Sequence, residues 1–310
     1  MKAGRCIALV VLYILGISHS ASAQEQNIFF FRPNHPKWPI TSRWSVTLKE
    51  LPFSWPRNQH EASQIPKQKI VSLVTGAENA AQSDSGYDPD PNGMRQDVES
   101  YVFTTFDSGP LYLVATTDDG STWFQYINVI RCEKRTCYGT EIHSDAVDLE
   151  KQLLDLKKDG RHQILVEECL CLIHAHEEGL LPYVLEVSHN EVKDSSARYP
   201  DFFKPRLLPI PPDVPNQWNS QDMIDDWRAE AVYAQHDIER RVFGKRDAGL
   251  SDALQWEQSK STVIKSLAIS TFEAIDAPQA DTGLQRLSQS DSPYMRMKAQ
   301  DAIARKQLRR

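Results

Sequence analysis

The chain has 310 residues and a formal net charge of −7. The length suits two domains of ordinary size. The acidic balance argues against a nucleic-acid partner, which needs a basic surface.

Lys2 and Arg5 precede a short apolar run from Cys6 to Ile17, and Ser18-His-Ser-Ala-Ser-Ala23 follows. A positive flank, a brief apolar core and Ala21-x-Ala23 are the parts of a secretory signal, with cleavage expected before Gln24. The run falls short of the about 20 apolar residues a membrane anchor needs. No later stretch is long and apolar enough to span a bilayer, so an extracytoplasmic location, periplasmic or secreted, is expected. Cleavage removes Cys6 and leaves Cys132, Cys137, Cys169 and Cys171. An even count in an exported chain reads as disulfides, and four cysteines allow three connectivities.

From Gln24 to Arg57 the chain is rich in proline and aromatics. Ile28 to Phe31 and Trp44 to Leu48 read as short or edge strands, since Pro33, Pro36, Pro39, Pro52 and Pro56 break regularity. The aromatics suit the base of a β-domain better than a carbohydrate platform. Lys69 to Thr75 reads as a further strand, and Gly76 to Arg95 as a polar stretch with almost nothing to enter a core. Within it, Asp88, Asp90, Asn92, Gly93 and Glu99 follow the calcium-loop spacing, with hard oxygens at alternate positions and a glycine for the turn. Arg95, Pro89 and Pro91 and the lack of an amphipathic helix before the loop depart from that pattern. A solvated acidic loop is the plainer alternative.

Tyr101 to Phe106 and Leu111 to Ala115 read as a hairpin, and Trp123 to Ile130 as the next strand. Between them, Thr116, Asp118, Gly120, Thr122 and Trp123 match the Asp-box hairpin of sialidase-type β-propellers. Asp118 suits capping of the turn and Gly120 a positive φ, with Trp123 packing back. In that family the box stabilises blades away from catalysis, so the resemblance implies hairpin architecture. Cys132 and Cys137 then flank four polar residues. A local bridge is favoured over one to the Cys169/Cys171 strand.

Asp155, Asp159 and Gly160 before Gln163 to Val166 resemble the acidic loop and apolar strand of FG-GAP or VCBS propeller repeats. Lys157 and Gln163 stand where that family uses calcium oxygens, so the resemblance implies a turn that keeps the shape without the ion. Cys169, Cys171, His174 and His176 sit close in sequence. A straight strand would put both cysteines opposite both histidines, which disfavours a zinc site. Leu180 to Val187 reads as the last strand. Pro200, Pro205, Pro209, Pro211, Pro212 and Pro215 then predict a stiff extended linker.

Helical spacing follows. Ser220 caps a helix with Trp227, Ala231, Ala234 and Ile238, ending near Phe243-Gly244. A second helix begins at Ser251 or Ser261 and runs to Ile275, and two more are centred on Leu284 and Ala299. Residues 264–304 resemble a HEAT repeat through Asp276, Pro278, Ala280, Leu284, Leu287, Asp291, Arg296, Ala299 and Ala302. Leu284, Leu287, Ala299, Ala302 and Ile303 are expected inside, and Arg305, Lys306, Arg309 and Arg310 in water.

The expectation is an α+β chain in four parts. A signal (1–23) precedes a β-rich antiparallel domain (24–198), propeller-blade-like or sandwich. A proline-rich linker (199–217) leads to an all-α HEAT-like region (218–310). No motif marks a nucleophile or a paired acid and base. The expected function is an exported, non-enzymatic interaction or scaffold protein with a protein partner. The alternatives are a carbohydrate-active hydrolase and a calcium-stabilised structural protein. No cofactor is required, and calcium is the one ion with a candidate loop.

Overall fold

The computed structural model describes residues 40–85, 97–107, 109, 111–118, 125–144, 148–169, 180–188, 191–207 and 220–310. An antiparallel β-rich region precedes an all-helical C-terminal region. The signal-like segment and Ile28 to Phe31 lie outside the described residues.

The first sheet holds β1 (Ile40–Thr47), β2 (Asp97–Thr104), β3 (Tyr112–Asp118), β4 (Gln125–Glu133) and β5 (Thr136–Ser144) in the order β1-β5-β4-β3-β2. All its pairings are antiparallel. The second sheet runs β6-β7-β8-β9, from β6 (Leu153–Leu154), β7 (Gln163–Cys169), β8 (Leu180–Ser188) and β9 (Glu191–Asp194). Alternation places one face of each sheet in a shared core. Tyr112, Val114, Ile127, Val129 and Ile142 meet Ile164, Val166, Leu181, Tyr183, Leu185 and Val187 there. This is the sandwich alternative. The short β9 joins its edge, and Arg43 on β1 donates to the Val192 carbonyl at 2.8 Å.

A short helix, α1 (Gln59–Ser63), and a 19-residue helix, α2 (Lys67–Ser85), precede β2. The strand expected at Lys69 to Thr75 is therefore corrected to helix. Ile70, Val71, Val74 and Thr75 are β-branched, but Ile70, Leu73, Val74 and Ala77 recur at helical spacing, and all four of these are buried. They pack on the outer face of the first sheet, over Val98, Phe103, Leu113, Ile130, Cys132 and Cys137. Packing overrides local β-propensity here. The same spacing carries Ala77 into the core from the stretch read as having almost nothing to enter one. Trp44, Phe53 and Trp55 pack against this cluster, and Trp55 donates to the Leu111 carbonyl at 2.9 Å. Gly139 lies beneath Trp44, whose ring would sit 2.0 Å from an added Cβ.

Helix α3 (Leu149–Gln152) precedes β6, and α4 (Pro200–Phe203) with a 3-10 turn (Lys204–Leu207) follows β9. Residues 200–207 thus form regular turns where the proline content had suggested an extended run. Pro200 occupies the first turn of α4, where its missing N–H costs nothing, and Phe203 is fully buried. Residues 208–219 lie outside the described residues.

Ser220 opens α5 (Gln221–Arg241) by accepting from the Met223 amide at 3.3 Å. Ala229, Tyr233 and Ala234 of α5 join the inter-sheet core. Ile238 and Val242 pack with Tyr199 and Phe203 around Val184, on the other face of β8. Then come α6 (Leu250–Trp256), α7 (Thr262–Ala274), α8 (Pro278–Leu287) and α9 (Pro293–Arg309). Ser261 and Ser292 cap α7 and α9. Ala268, Ile269, Phe272, Leu284, Leu287, Met295, Ala299 and Ala302 form a separate core. Gly283 allows α8 to touch α7, since an added Cβ would meet the Phe272 ring at 2.4 Å.

Candidate functional site

Cys132 and Cys137 face each other across the β4–β5 ladder and form a disulfide. Both are buried under α2, so the bridge pins a hairpin. Cys169 ends β7 opposite Leu180, and Cys171, His174 and His176 lie outside the described residues. The same is true of Asp88, Asp90 and Asn92, while Glu99 is an exposed residue of β2. Asp118 closes the β3–β4 pairing opposite Gln125, which fits the expected hairpin. Gly120 and Trp123 fall outside. Among the described residues no group of metal-ligating side chains converges.

The Asp155 to Gln163 turn is held by its own side chains. Asp155 accepts from the amides of Asp159 at 3.1 Å and Gly160 at 3.0 Å. Asp159 accepts from the Arg161 amide at 3.0 Å. Lys158 and Gly160 adopt positive φ, 55° and 76°. The Gly160 amide, more than any other group, lowers the Asp155 carboxyl below its ordinary value, against the opposing effect of desolvation. Both departures from the propeller pattern have partners of their own. Lys157 pairs with Glu186 at 2.7 Å, and the Gln163 amide oxygen accepts from the Leu156 amide at 3.0 Å. The turn is fixed to the first sheet, where the His162 amide donates to the Thr105 carbonyl at 2.9 Å.

Glu186, on the outer face of the second sheet, was not singled out by its sequence context. It gathers Lys157, Arg198 and the Tyr199 hydroxyl. Burial pushes its carboxyl up, but the hydrogen bonds from Lys157 and Tyr199 outweigh this and leave it lowered. Arg241 plays the matching role at the α5–β8 contact. It donates to Asp237 at 3.0 Å and to the Pro182 carbonyl at 2.9 Å, with its guanidinium 4.0 Å from the Tyr183 ring centre. His236 lies between Glu239 at 3.1 Å and Asp252 at 2.7 Å, joining α5 to α6. Each of these groups ties elements together.

The C-terminal helices offer the more open surfaces. Leu284, Leu287, Ala299 and Ala302 are buried and Ile303 is half-buried. Lys306, expected in water, is buried and is a correction. Its ammonium donates to the carbonyls of Phe272 and Ile275 and pairs with Asp281 at 2.8 Å. It thus satisfies the orphan carbonyls at the end of α7, where a cation is favoured. Arg310 pairs with Asp276 and Asp281 beside it. Between α8 and α9 a groove of about 150 Å³ is lined by Leu284, Ile303, Gln285 and Gln307 together with Asp281, Lys306 and Arg310. On the opposite flank of α9, Arg305 and Arg309 converge on Glu273 of α7.

The groove combines apolar side chains, amides that can donate or accept, and charged groups that are already paired. Such a surface suits contact with another molecule. No family model matches the chain, and no curated protein or solved structure matches it. Among the described residues no helix is long and apolar enough to cross a membrane.

Proposed function

We propose that the chain is an exported, non-enzymatic interaction protein, in which a disulfide-pinned β-sandwich carries a HEAT-like helical region as its docking surface. The carrying observation is the groove between α8 and α9, lined by apolar Leu284 and Ile303 and by the amides of Gln285 and Gln307. Its volume suits one apolar side chain of a partner protein. Its amides suit that partner's backbone. Arg241 and the α5 core residues give the helices a firm mount on the second sheet. The signal-like first 23 residues and the Cys132–Cys137 bridge support export.

A photo-crosslinking residue at Gln285 of the full chain, expressed in its source cells, tests this reading. A discrete adduct with another protein is expected at Gln285 and not at the control position Glu61 on α1. Filling the groove with Gln307→Trp should abolish it. Equal labelling at both positions, or an adduct indifferent to Gln307→Trp, overturns the proposal.

A further inference from the structure

The two flanks of α9 differ in how their charges are met. On one, Lys306 and Arg310 face Asp281 and Asp276, cation for carboxylate. On the other, Tyr294, Lys298, Arg305 and Arg309 follow one another at helical spacing along the side that meets α7. Their chief counter-charge is Glu273, whose side chain is 2% exposed. Arg305 grips it with two N–H groups at 2.9 and 2.8 Å. Arg309 reaches the same carboxylate at 3.2 Å and the Glu273 carbonyl at 3.0 Å. Asp301 adds a second negative charge felt by Arg305. The described residues place no carboxylate within ion-pair distance of Lys298, whose ammonium lies 5.7 Å from the Tyr294 ring centre. Three cations therefore share two acidic groups, and Glu273 is already taken by two guanidinium groups.

We propose that Lys298, Arg305 and Arg309 form a docking site for a carboxylate-rich segment of a partner protein. The proposal rests on the docking reading of the helical region and names the partner's chemistry. Like charges held together without enough counter-charge are repelled, and an arriving carboxylate removes that repulsion. Burial first, and then the charge of Arg305, lower the Lys298 ammonium to about 8, against the opposing pull of Glu273. An anion at the flank would reverse the second of these effects. Arg305 is 26% and Arg309 53% exposed, so part of each guanidinium stays open to a ligand while the rest holds Glu273. A guanidinium fork suits carboxylate geometry. The chain's overall charge of −7 disfavours a long polyanion and leaves a short acidic segment as the fitting occupant.

The test uses the full chain, a hexaglutamate peptide and inorganic phosphate, with binding followed by calorimetry at low salt and at about 0.15 M salt. The peptide should bind in a salt-sensitive way, and Lys298→Met or Arg309→Gln should each weaken it about tenfold. Arg310→Gln, on the neutralised flank, should leave binding unchanged. NMR of the lysine side chains should show Lys298 titrating at higher pH once the peptide is bound. Thermal melts check that each variant is folded, and the exposed Arg309 serves if Lys298→Met is not. An absence of peptide binding overturns the proposal. So does peptide binding that ignores Lys298→Met and Arg309→Gln, or phosphate binding as tightly as the peptide, which would mark a site for any small anion. If the peptide fails while the Gln285 adduct persists, only the acidic partner is lost. If the adduct fails while peptide binding persists, the groove is lost instead.

Discussion

At the scale of single residues, the turn from Asp155 to Gln163 is closed by its own carboxylates. Asp155 accepts two backbone N–H groups and Asp159 a third, which fixes the path of the chain through the turn. Gly160 sits at φ 76° with nothing within 4 Å of an added Cβ. Any cost of substitution there is therefore backbone strain alone. Gly160→Ala should lower stability by about 1–2 kcal/mol, the cost of left-handed backbone for a residue with a Cβ. Gly160→Asn should lose less, because asparagine tolerates that region. Urea melts of the two variants compare them, and an alanine variant as stable as wild type would remove the strain argument.

At the scale of elements, the helical core and its caps carry two predictions. Leu287 is 5% exposed within the α7–α8–α9 core. Leu287→Ala should cost about 2–5 kcal/mol, as truncations in packed cores do. Removing Arg309 and Arg310 should change stability little, since both are about half exposed and such ion pairs are weak. A Leu287→Ala melt equal to wild type would show that these helices are not packed as described.

Asp226 governs the second. It accepts from the Ser261 hydroxyl at 2.5 Å, while that hydroxyl also caps α7. Burial, and after it the charges of Asp222 and Asp225, raise its carboxyl despite the bond from Ser261. The folded state therefore holds this proton more tightly than the unfolded chain. The stabilisation is full below the ordinary carboxylate range and is lost as pH rises through the raised value. Asp226→Asn keeps an acceptor for Ser261 without the buried charge. It should be more stable than wild type near neutral pH, with the gap closing toward about pH 4. Denaturant melts across that range decide it, and an asparagine variant less stable at neutral pH contradicts the assignment.

At the scale of the whole molecule, α5 joins the β-sandwich to the remaining helices through both packing and charge. Ala229 and Tyr233 enter the inter-sheet core, and Arg241 answers Asp237, Asp194 and the Pro182 carbonyl. Arg241→Met leaves Asp194 without its cation and Asp237 with only the more distant Arg240, 3.9 Å away. It should cost about 3 kcal/mol. Hydrogen exchange should show the amides of β8 and the end of α5 losing protection together. Loss confined to α5 would mean that the helix and the sheet are not one cooperative unit.

Periodicity by itself determined much of this protein. The alternation of Trp44, Val46 and Leu48 and the apolar run Leu111 to Ala115 gave strands, the helical recurrence of Leu284, Leu287, Ala299 and Ala302 gave the C-terminal helices, and Ser220 gave the start of α5. These signals are local, because a face that must be buried writes its period into a short stretch. The spacing of Cys132 and Cys137 was legible for the same reason, since a hairpin keeps its partners close in sequence. The tertiary structure decided what depends on distant neighbours. Ile70 to Ala77 become a helix because the outer face of the first sheet accepts a helical stripe. Phe203 finds a buried place beside Val184 amid prolines that suggested an open linker. Lys306 turns inward because the end of α7 presents carbonyls it can satisfy. The uneven flanks of α9 are invisible in the basic run Arg305 to Arg310, because only folding brings Glu273, Asp276 and Asp281 against some of those cations and leaves Lys298 with no carboxylate within ion-pair distance among the described residues.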